Sequence, residues 1–440
     1  MNVLNRNTNN IFFIFSFSHL IIWTLVPSIT NNNLPLDVIE GLAWGSNLDW
    51  GSVKHPPMKS FFLEVIYQIF GSQDWAFYLL SQIFILIAFY YVFKLGNEIL
   101  MNVKLSLLSV LSLEAIYFYN FTTPEFNVNV CQIPFWSLVV YYSWKIFETK
   151  EIKFSDCLLI GFFAAIGFLS KYLFIYLLAS IGSLFIYSIF IKKNKRFDFK
   201  HLIILEVFLV LLIPHFVWLY NNDFITIFYG LKRAGLESSG WVDHLKYPII
   251  FLLKQIALLI PFFLLIFLLV KKINYKINFK DKKLIFLIFI NILPIFLIFI
   301  TSVITGSKIR TMWMTPFYLF LGVLFIYIFQ SQINIKKINS FLYGFLFLFF
   351  LSPILYSFIS IYQTDKRTDY LGKEIAAKVQ QRWDQEFDKK IEFVIGDEWK
   401  AGNLSYHLES RPKWEGFTND KALKNSSQFI CVDDVCLGRY

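Results

Sequence analysis

Apolar runs close to 20 residues long recur along the whole chain and constrain its fold more than any other feature. A helix of about 20 apolar residues spans the hydrocarbon core of a bilayer. The sequence therefore predicts an all-α polytopic membrane protein with about eleven transmembrane helices. The candidate spans are approximately 11–29, 74–94, 104–121, 131–147, 156–170, 172–191, 202–220, 247–270, 284–303, 313–330 and 339–361.

The composition excludes an ordinary soluble protein. Charged residues make up 16% of the chain and phenylalanine occurs 52 times, whereas soluble proteins average about 25% charged residues. A formal net charge of +10 would suggest a nucleic-acid partner in a soluble protein. Because the basic residues lie in short loops between the spans, we expect membrane lipids as partners and no nucleic acid.

Lysine-rich loops set the expected orientation. They occur at 145–153, 192–200, 271–283 and 336–337. Short loops rich in lysine stay in the cytoplasm, so these four loops should be cytoplasmic. The other loops and the C-terminus should then face the periplasm, with a cytoplasmic N-terminus. We therefore expect a multi-pass protein of the bacterial inner membrane.

The chain divides into two parts of different character. Residues 1–363 carry all the spans, whereas residues 364–440 are charged and predict a small periplasmic α/β domain. In that domain, helical spacing occurs at 368–387, and strand patterns occur at 391–396 and 428–432.

The four cysteines also divide between these parts. Cys131 and Cys157 fall in apolar runs and should be inert core residues. Cys431 and Cys436 could form a disulfide, which an oxidising periplasm permits, or remain two free thiols. A metal site is not predicted there, because no further ligands occur at suitable spacing.

Polar residues that could carry chemistry gather in the loops expected outside. The first of these loops covers 30–73. Charges near a bilayer are costly when unpaired, so their concentration predicts one shared polar site close to the membrane. The candidates are Asp37, Glu40, Asp49 and His55 in the first loop, and Glu125, Lys171, Lys308 and Arg310 in later loops.

Each acidic candidate has a plain alternative. Asp37 could be catalytic, or it could only cap the short helix that IEGLAWG predicts. Glu40 lies one turn further on the same helix face, where it could assist or merely be solvated. Asp49 occupies a DWG turn and is interpreted as structural. Glu125 follows a proline and could be a site residue or an ordinary loop acid.

The basic candidates have alternatives too. His55 precedes two prolines that hold it extended, so it is either part of a rigid loop or a site contact. Lys308 and Arg310 could be snorkelling residues at the membrane surface. They lie on the side where few cations are expected, however, and this favours anion binding. Lys171, between two apolar runs, favours the same interpretation.

Four motifs carry a resemblance to a known family. They are DWGSVKHPPM in the first loop, TPE at 123–125, LSKY at 169–172 and GSK-R--W at 306–313. Together they resemble the bacterial protein-mannosyltransferase-like family, which includes the aminoarabinose transferases of lipid A. Its members are type C (GT-C) glycosyltransferases, which are multi-span enzymes that use sugars linked to polyprenyl phosphate. The resemblance covers residues 11 to about 330.

The resemblance implies a glycosyltransferase that moves a sugar from a polyprenyl-phosphate donor to an envelope acceptor. That acceptor could be lipid A, a glycan or a protein. Asp37 would be the general base of an inverting displacement, and Glu40 and Glu125 would be further catalytic candidates. The residues expected to bind the lipid phosphate and the sugar are His55, Lys171, Lys308 and Arg310.

One position departs from the family pattern. The family usually has adjacent aspartate and glutamate residues in the first loop. Asp37 matches the aspartate by its spacing to Trp44-Gly45, but Val38 takes the place of the glutamate. Glu40 could compensate from the same helix face.

Two further questions stay open at this level. No cofactor is predicted, although a divalent metal bridging Asp37 and Glu125 is conceivable, since carboxylates are hard oxygen ligands. The alternative function is a transporter or flippase of lipid-linked saccharides. A transporter should place its polar groups near the membrane midplane, whereas these candidates cluster at one surface.

Overall fold

The computed structural model describes residues 3–149, 151–192, 197–236, 240–270, 278, 280–334, 337–432 and 434–440. Parts of the lysine-rich loops, at 150, 193–196, 271–277, 279 and 335–336, lie outside the described residues. The helices are α1 Val3–Thr30, α2 Leu36–Gly45, α3 Met58–Phe70, α4 Asp74–Leu100, α5 Val103–Leu111, α6 Val128–Glu148, α7 Phe154–Ser170, α8 Ile175–Ile186, α9 Lys200–Asn221, α10 Ile225–Arg233, α11 Asp243–Phe267, α12 Lys282–Thr305, α13 Leu321–Phe329, α14 Ile338–Tyr362, α15 Gly372–Glu386, α16 Lys400–His407 and α17 Asp420–Asn425. The strands are β1 Phe393–Ile395, β2 Lys413–Trp414, β3 Gln428–Val432 and β4 Val435–Arg439.

The mostly helical, multi-pass architecture predicted from the sequence is confirmed. Seven described helices are long and apolar enough to cross a membrane, and the bent pair Thr311–Tyr318 and Leu321–Gln332 would make an eighth. The helix α7 is apolar but shorter. The seven are Asn7–Thr30, Asp74–Leu100, Tyr172–Ile191, Lys200–Asn221, Asp243–Phe267, Lys282–Thr305 and Ile338–Tyr362.

The third predicted span, 104–121, is not a continuous helix. The helix α5 ends at Leu111 and two short 3-10 helices follow it. In this stretch the buried Glu114 pairs with His19 of α1 at 2.7 Å. Asn120 donates hydrogen bonds to the main-chain carbonyl and to the carboxylate of Glu114. These polar contacts are made inside the bundle, which explains why an apolar run here does not form one straight helix.

Two short helices of the first loop, α2 and α3, approach each other very closely. A Cβ atom on Gly41 would lie 2.4 Å from Leu63 and 2.8 Å from Cε of Lys59. A Cβ atom on Gly45, one turn later, would lie 2.8 Å from the carbonyl oxygen of Ser60. Only glycine permits this approach, and the approach brings the Lys59 side chain to the beginning of α2.

The C-terminal residues form the small sheet domain that the sequence predicts. The strand order is β2-β1-β4-β3, with β1 parallel to β2 and the other neighbours antiparallel. The patterns at 391–396 and 428–432 correspond to β1 and β3, whereas β2 and β4 were not foreseen. Cys431 and Cys436 face each other across the β3–β4 hairpin and are joined as a disulfide.

This domain packs directly on the first loop. Ala43 and Trp44 of α2 share a buried apolar cluster with Trp383 and Ile391 of the domain. Asn33, which precedes α2, donates a hydrogen bond to Asn403 of α16 at 2.8 Å. We call the end of the bundle that carries α2, α3, α10 and this domain the domain end.

Candidate active site

Asp37 lies in the first turn of α2, where three segments meet. Its main-chain N–H donates a hydrogen bond to Oε1 of Glu125, at 3.2 Å. Its carbonyl oxygen accepts a hydrogen bond from Nζ of Lys59, at 2.6 Å. The Lys59 side chain is buried, and its ammonium lies 4.7 Å from the centroid of the Trp44 ring. Three segments therefore converge at Asp37, namely α2, α3 and the loop that precedes α6.

The surroundings of Asp37 shift the pKa of the Glu125 carboxyl strongly. Burial, followed by the negative charge of Asp37, raises the pKa of its carboxyl to about 7. The hydrogen bond from the Asp37 amide and the positive charge of Lys59 oppose the rise. Two carboxyl groups in one site resist ionising together. Glu125 can therefore take up or release a proton close to neutral pH.

Lys171 reaches the same place from the break between α7 and the next helix. Its buried ammonium donates a hydrogen bond to Oδ1 of Asn129 and lies 5.3 Å from the centroid of the Trp313 ring. Burial lowers the pKa of the Lys171 ammonium to about 7, and the negative charge of Asp37 opposes this decrease. The structure thus brings Lys171 near Asp37, whose amide is hydrogen-bonded to Glu125.

His55 is partly buried and surrounded by positive charge. Burial lowers the pKa of its imidazole well below the usual value. Nearby cations lower it further, namely Lys59, Lys171, Lys54 and Arg233. Because Lys54 is itself paired with two carboxylates, the positive field at the neutral imidazole comes mainly from Lys59, Lys171 and Arg233. Such a field suits an anion such as a phosphate.

Arg310 lies in the loop that follows α12. Gly306 ends this helix with a left-handed backbone, at φ 65°, and the main-chain N–H of Lys308 then donates a hydrogen bond to the carbonyl of Ala234, directly after α10. Burial lowers the pKa of the Arg310 guanidinium, and the positive charge of Arg233 lowers it further. Two arginines held near each other would gain from an anion between them, and a guanidinium can bind a phosphate through two hydrogen bonds.

Glu40 has a different partner. The Nζ atom of Lys54 lies 2.8 Å from Oε1 of Glu40 and 2.8 Å from Oε2 of Glu398. Both carboxylates are largely buried. This three-residue bridge connects the first loop to the C-terminal domain, and it occupies the carboxylate that the sequence suggested as a replacement for the missing family glutamate.

Lys308 and Asp49 lie apart from the Asp37 group. The exposed side chain of Lys308 lines a separate cavity of about 250 Å³ between α11 and the loop that follows α12. His55, Lys171 and Arg310 do not line that cavity. Asp49 is exposed and lies four residues after the end of α2.

Sequence reasoning missed three charged residues of this region. Lys59 follows HPPM by one residue, and its position depends on the close approach of α2 and α3 at Gly41. Arg233 ends the amphipathic stretch ITIFYGLKR. Basic residues in such a stretch are typical of a helix that lies at the membrane surface, so this pattern could have identified Arg233. Glu398 offers no local signal, because its partner Lys54 is 344 residues away.

Metal ligands are sparse in this part of the chain. Within the described ranges, no group of three or more histidine, cysteine, aspartate and glutamate side chains is arranged to hold a metal ion. Asp37 and Glu125 would offer oxygen ligands, but the ammonium groups of Lys59 and Lys171 are also close. This cationic environment disfavours a divalent ion between the two carboxyl groups.

Comparisons with known proteins agree with the fold and the motifs. Residues 54–218 match the family model of the dolichyl-phosphate-mannose-protein mannosyltransferases. The structure is similar to ArnT from Cupriavidus metallidurans bound to undecaprenyl phosphate, with a TM-score of 0.61 and 12% identity over 94% of this chain and 86% of that one. The apo state of the same ArnT matches with a TM-score of 0.59 and 11% identity over the same shares. No curated protein matches by sequence.

These similarities confirm the family resemblance seen in the loop motifs. The matched range contains His55, Glu125 and Lys171, whereas Asp37 and Arg310 lie outside it. Along most of its length the chain has the ArnT fold.

Proposed function

We propose that this protein is a membrane glycosyltransferase that moves a sugar from a polyprenyl-phosphate donor to an envelope acceptor. The observation that carries the proposal is the convergence of Asp37, Glu125 and Lys171 at the domain end, beside a positively charged region around His55. The match to the mannosyltransferase family model and the ArnT fold support the same class of reaction.

Asp37 is the proposed general base. Its main chain is fixed at both ends, because the amide donates to Glu125 and the carbonyl accepts from Lys59. This leaves the carboxylate to act on an acceptor hydroxyl. In the reaction, the hydroxyl proton passes to the carboxylate while the acceptor oxygen attacks the anomeric carbon. The bond from that carbon to the phosphate oxygen breaks, and a single displacement of this kind inverts the anomeric configuration.

The departing polyprenyl phosphate needs positive charge. Lys171 and Arg233 both lie near His55, and Arg310 lies near Arg233, which ends α10. The two guanidinium groups can bind phosphate oxygens in a bidentate manner, and the ammonium adds a point charge. We assign the donor phosphate to these groups.

Glu125 is a proposed proton partner of the base. With a pKa of about 7, its carboxyl can accept the proton that Asp37 takes from the acceptor and release it to water. This would restore the carboxylate of Asp37 for the next turnover. Glu40, which is held by Lys54, is proposed to support α2 rather than to contact the substrate.

We also propose that the domain end faces the periplasm of the inner membrane. The Cys431–Cys436 disulfide supports an oxidising compartment on this side. The described residues that flank the lysine-rich loops contact one another at the other ends of these helices, as Lys200 does with Ile152 and Lys337 with Val270. This arrangement agrees with the positive-inside rule. On this orientation the donor must be carried by a lipid phosphate and must enter the site from the outer leaflet.

Donor cleavage is the direct test. Proteoliposomes containing the purified protein are mixed with polyprenyl-phosphate sugars, both hexoses and an aminopentose, that carry a labelled sugar. Envelope lipids, glycans and proteins are supplied as acceptors. The proposal predicts that one donor is cleaved to free polyprenyl phosphate and that label appears on one acceptor class. Transfer of an intact donor across the vesicle membrane without any cleavage would establish a flippase instead.

A further inference from the structure

A second basic cavity lies at the domain end, outside the proposed catalytic site. It measures about 250 Å³ and is formed by one face of α11 together with the loop that follows α12. Its lining residues are Lys246, Tyr247, Ile250, Lys254, Lys308 and Ile309. Three of these six residues are lysines, so the cavity concentrates positive charge on one side of the molecule.

The position of Lys254 within α11 is unusual. This helix is a candidate span, and Lys254 lies 11 residues after its first residue, Asp243. Its neighbours Leu253 and Ile256 are 62% and 60% exposed, as lipid-facing residues of a span are. An ammonium on such a surface is unfavourable unless it reaches the headgroup region or meets an anion.

Among the described residues, no carboxylate lies within ion-pair distance of Lys246, Lys254 or Lys308. Lys246 instead lies 5.7 Å from the centroid of the Tyr247 ring. Three lysines around one cavity repel each other when no carboxylate of the described residues pairs with them, and a bound anion would remove that repulsion.

The apolar surface next to the cavity indicates what kind of anion fits. Pro261 and Leu264 continue, about two to three turns after Lys254, the face of α11 that carries Lys246 and Lys254, and both are exposed. A ligand with an anionic head and hydrocarbon chains would satisfy both parts of this surface, because the head would meet the lysines and the chains would lie along the helix. A free inorganic anion would contact only the lysines and would leave the apolar face of α11 uncovered.

We infer that this cavity binds the phosphate headgroup of a membrane lipid whose chains lie along the exposed face of α11. Lys246 and Lys308 hold the head at the membrane surface, and Lys254 contacts it from below. An anionic phospholipid of the bilayer and a polyprenyl phosphate share this chemistry. The inference does not depend on the proposed glycosyltransferase function, because the cavity shares no lining residue with that site.

The test compares lipid binding by matched variants of the full-length protein. Purified protein in a neutral detergent is titrated with phosphatidylglycerol, phosphatidylcholine or undecaprenyl phosphate, and bound lipid is counted by native mass spectrometry. The site variant carries Lys246→Gln, Lys254→Gln and Lys308→Gln. The control carries Lys378→Gln, Lys421→Gln and Lys424→Gln, which remove the same charge from exposed positions of the C-terminal domain.

The inference predicts that wild type and control bind an anionic lipid more tightly than phosphatidylcholine, and that the site variant binds it at least about tenfold more weakly. Loss of phosphatidylglycerol binding identifies a bilayer phospholipid as the ligand, and loss of undecaprenyl phosphate binding alone identifies the polyprenyl lipid. Equal affinity in the site variant and the control would overturn the inference. If the triple variant does not fold, Lys254→Gln alone must still weaken binding, and an unchanged affinity there would overturn it as well.

Discussion

The main-chain amide of Asp37 donates a hydrogen bond to the carboxylate of Glu125, which lies 88 residues further along the chain. The contact joins the first loop to the loop before α6. Asp37 does not cap its own helix, α2. Pro35 occupies the N-cap position of α2, and no side chain forms a capping hydrogen bond there. The carboxyl group of Asp37 is therefore not consumed by the helix end.

Removing the Glu125 charge should change how stability depends on pH. The folded pKa of about 7 lies above the ordinary value of 4.5, so the folded protein binds more protons than the unfolded chain between these values. Stability should therefore fall as pH rises from about 4.5 to about 7. Glu125→Gln should flatten this decline in melting temperature measured in detergent. A decline of the same size in the variant would show that another group causes it.

Donor affinity should depend on the protonation of Lys171. Its folded pKa of about 7 means that the ammonium loses its charge as pH rises through neutrality, and a phosphate then loses a partner. We expect polyprenyl-phosphate binding to weaken severalfold between about pH 6 and pH 8.5. The measurement is best made in the Glu125→Gln background, in which Glu125 no longer titrates over the same range.

Two substitutions at Lys171 test whether its charge causes the pH dependence of donor binding. Lys171→Arg keeps its charge throughout this range, so its donor affinity should be nearly independent of pH. Lys171→Gln should bind weakly at every pH. Identical pH profiles for wild type and Lys171→Arg would show that Lys171 does not carry the effect.

The Lys54 bridge should be important for attaching the C-terminal domain to the first loop. Lys54→Met would leave Glu40 and Glu398 unpaired, with their side chains only 11% and 6% exposed. Breaking a buried ion pair from one side costs about 3–5 kcal/mol, which should appear as a lower denaturation midpoint in detergent.

An exposed ion pair in the same domain provides the control. Lys400 and Asp434 are 47% and 82% exposed, so Lys400→Met should cost no more than about 1 kcal/mol. The triple variant Glu40→Gln, Lys54→Met, Glu398→Gln removes all three charges and should recover part of the lost stability. A Lys54→Met protein that is as stable as Lys400→Met would contradict a structural role for the bridge.

Much of the site could be predicted because its residues lie in short polar segments between apolar runs. Asp37, Glu125 and Lys171 each stand out against their apolar neighbours, and the structure brings all three together. Glu40 lies on the short helix that the sequence predicts, but its burial and its partner Lys54 follow from tertiary packing. Glu398 comes from a domain whose docking on α2 depends on tertiary packing, and no local pattern encodes that packing.

The lengths of the helices are harder to predict from the sequence, because they too depend on tertiary packing. Hydropathy identifies apolar segments but does not distinguish a lipid-facing helix from a chain packed inside the bundle. Around Glu114, buried partners from other segments satisfy the polar groups, and the chain forms short 3-10 turns instead of a single span. Lys59 was missed because glycine-mediated helix packing, rather than its own surroundings in the sequence, brings it to Asp37.

We propose that Asp37 is the general base of a sugar-transfer reaction. The most direct measurement is the rate at which polyprenyl phosphate is released from a cleavable donor by wild type, Asp37→Asn and Asp49→Asn. The last variant makes the same change in the same loop at an exposed position. We expect the rate to fall about a hundredfold or more for Asp37→Asn and to stay almost unchanged for Asp49→Asn. An Asp37→Asn protein with normal melting temperature and donor affinity that releases polyprenyl phosphate at the wild-type rate would contradict this proposal.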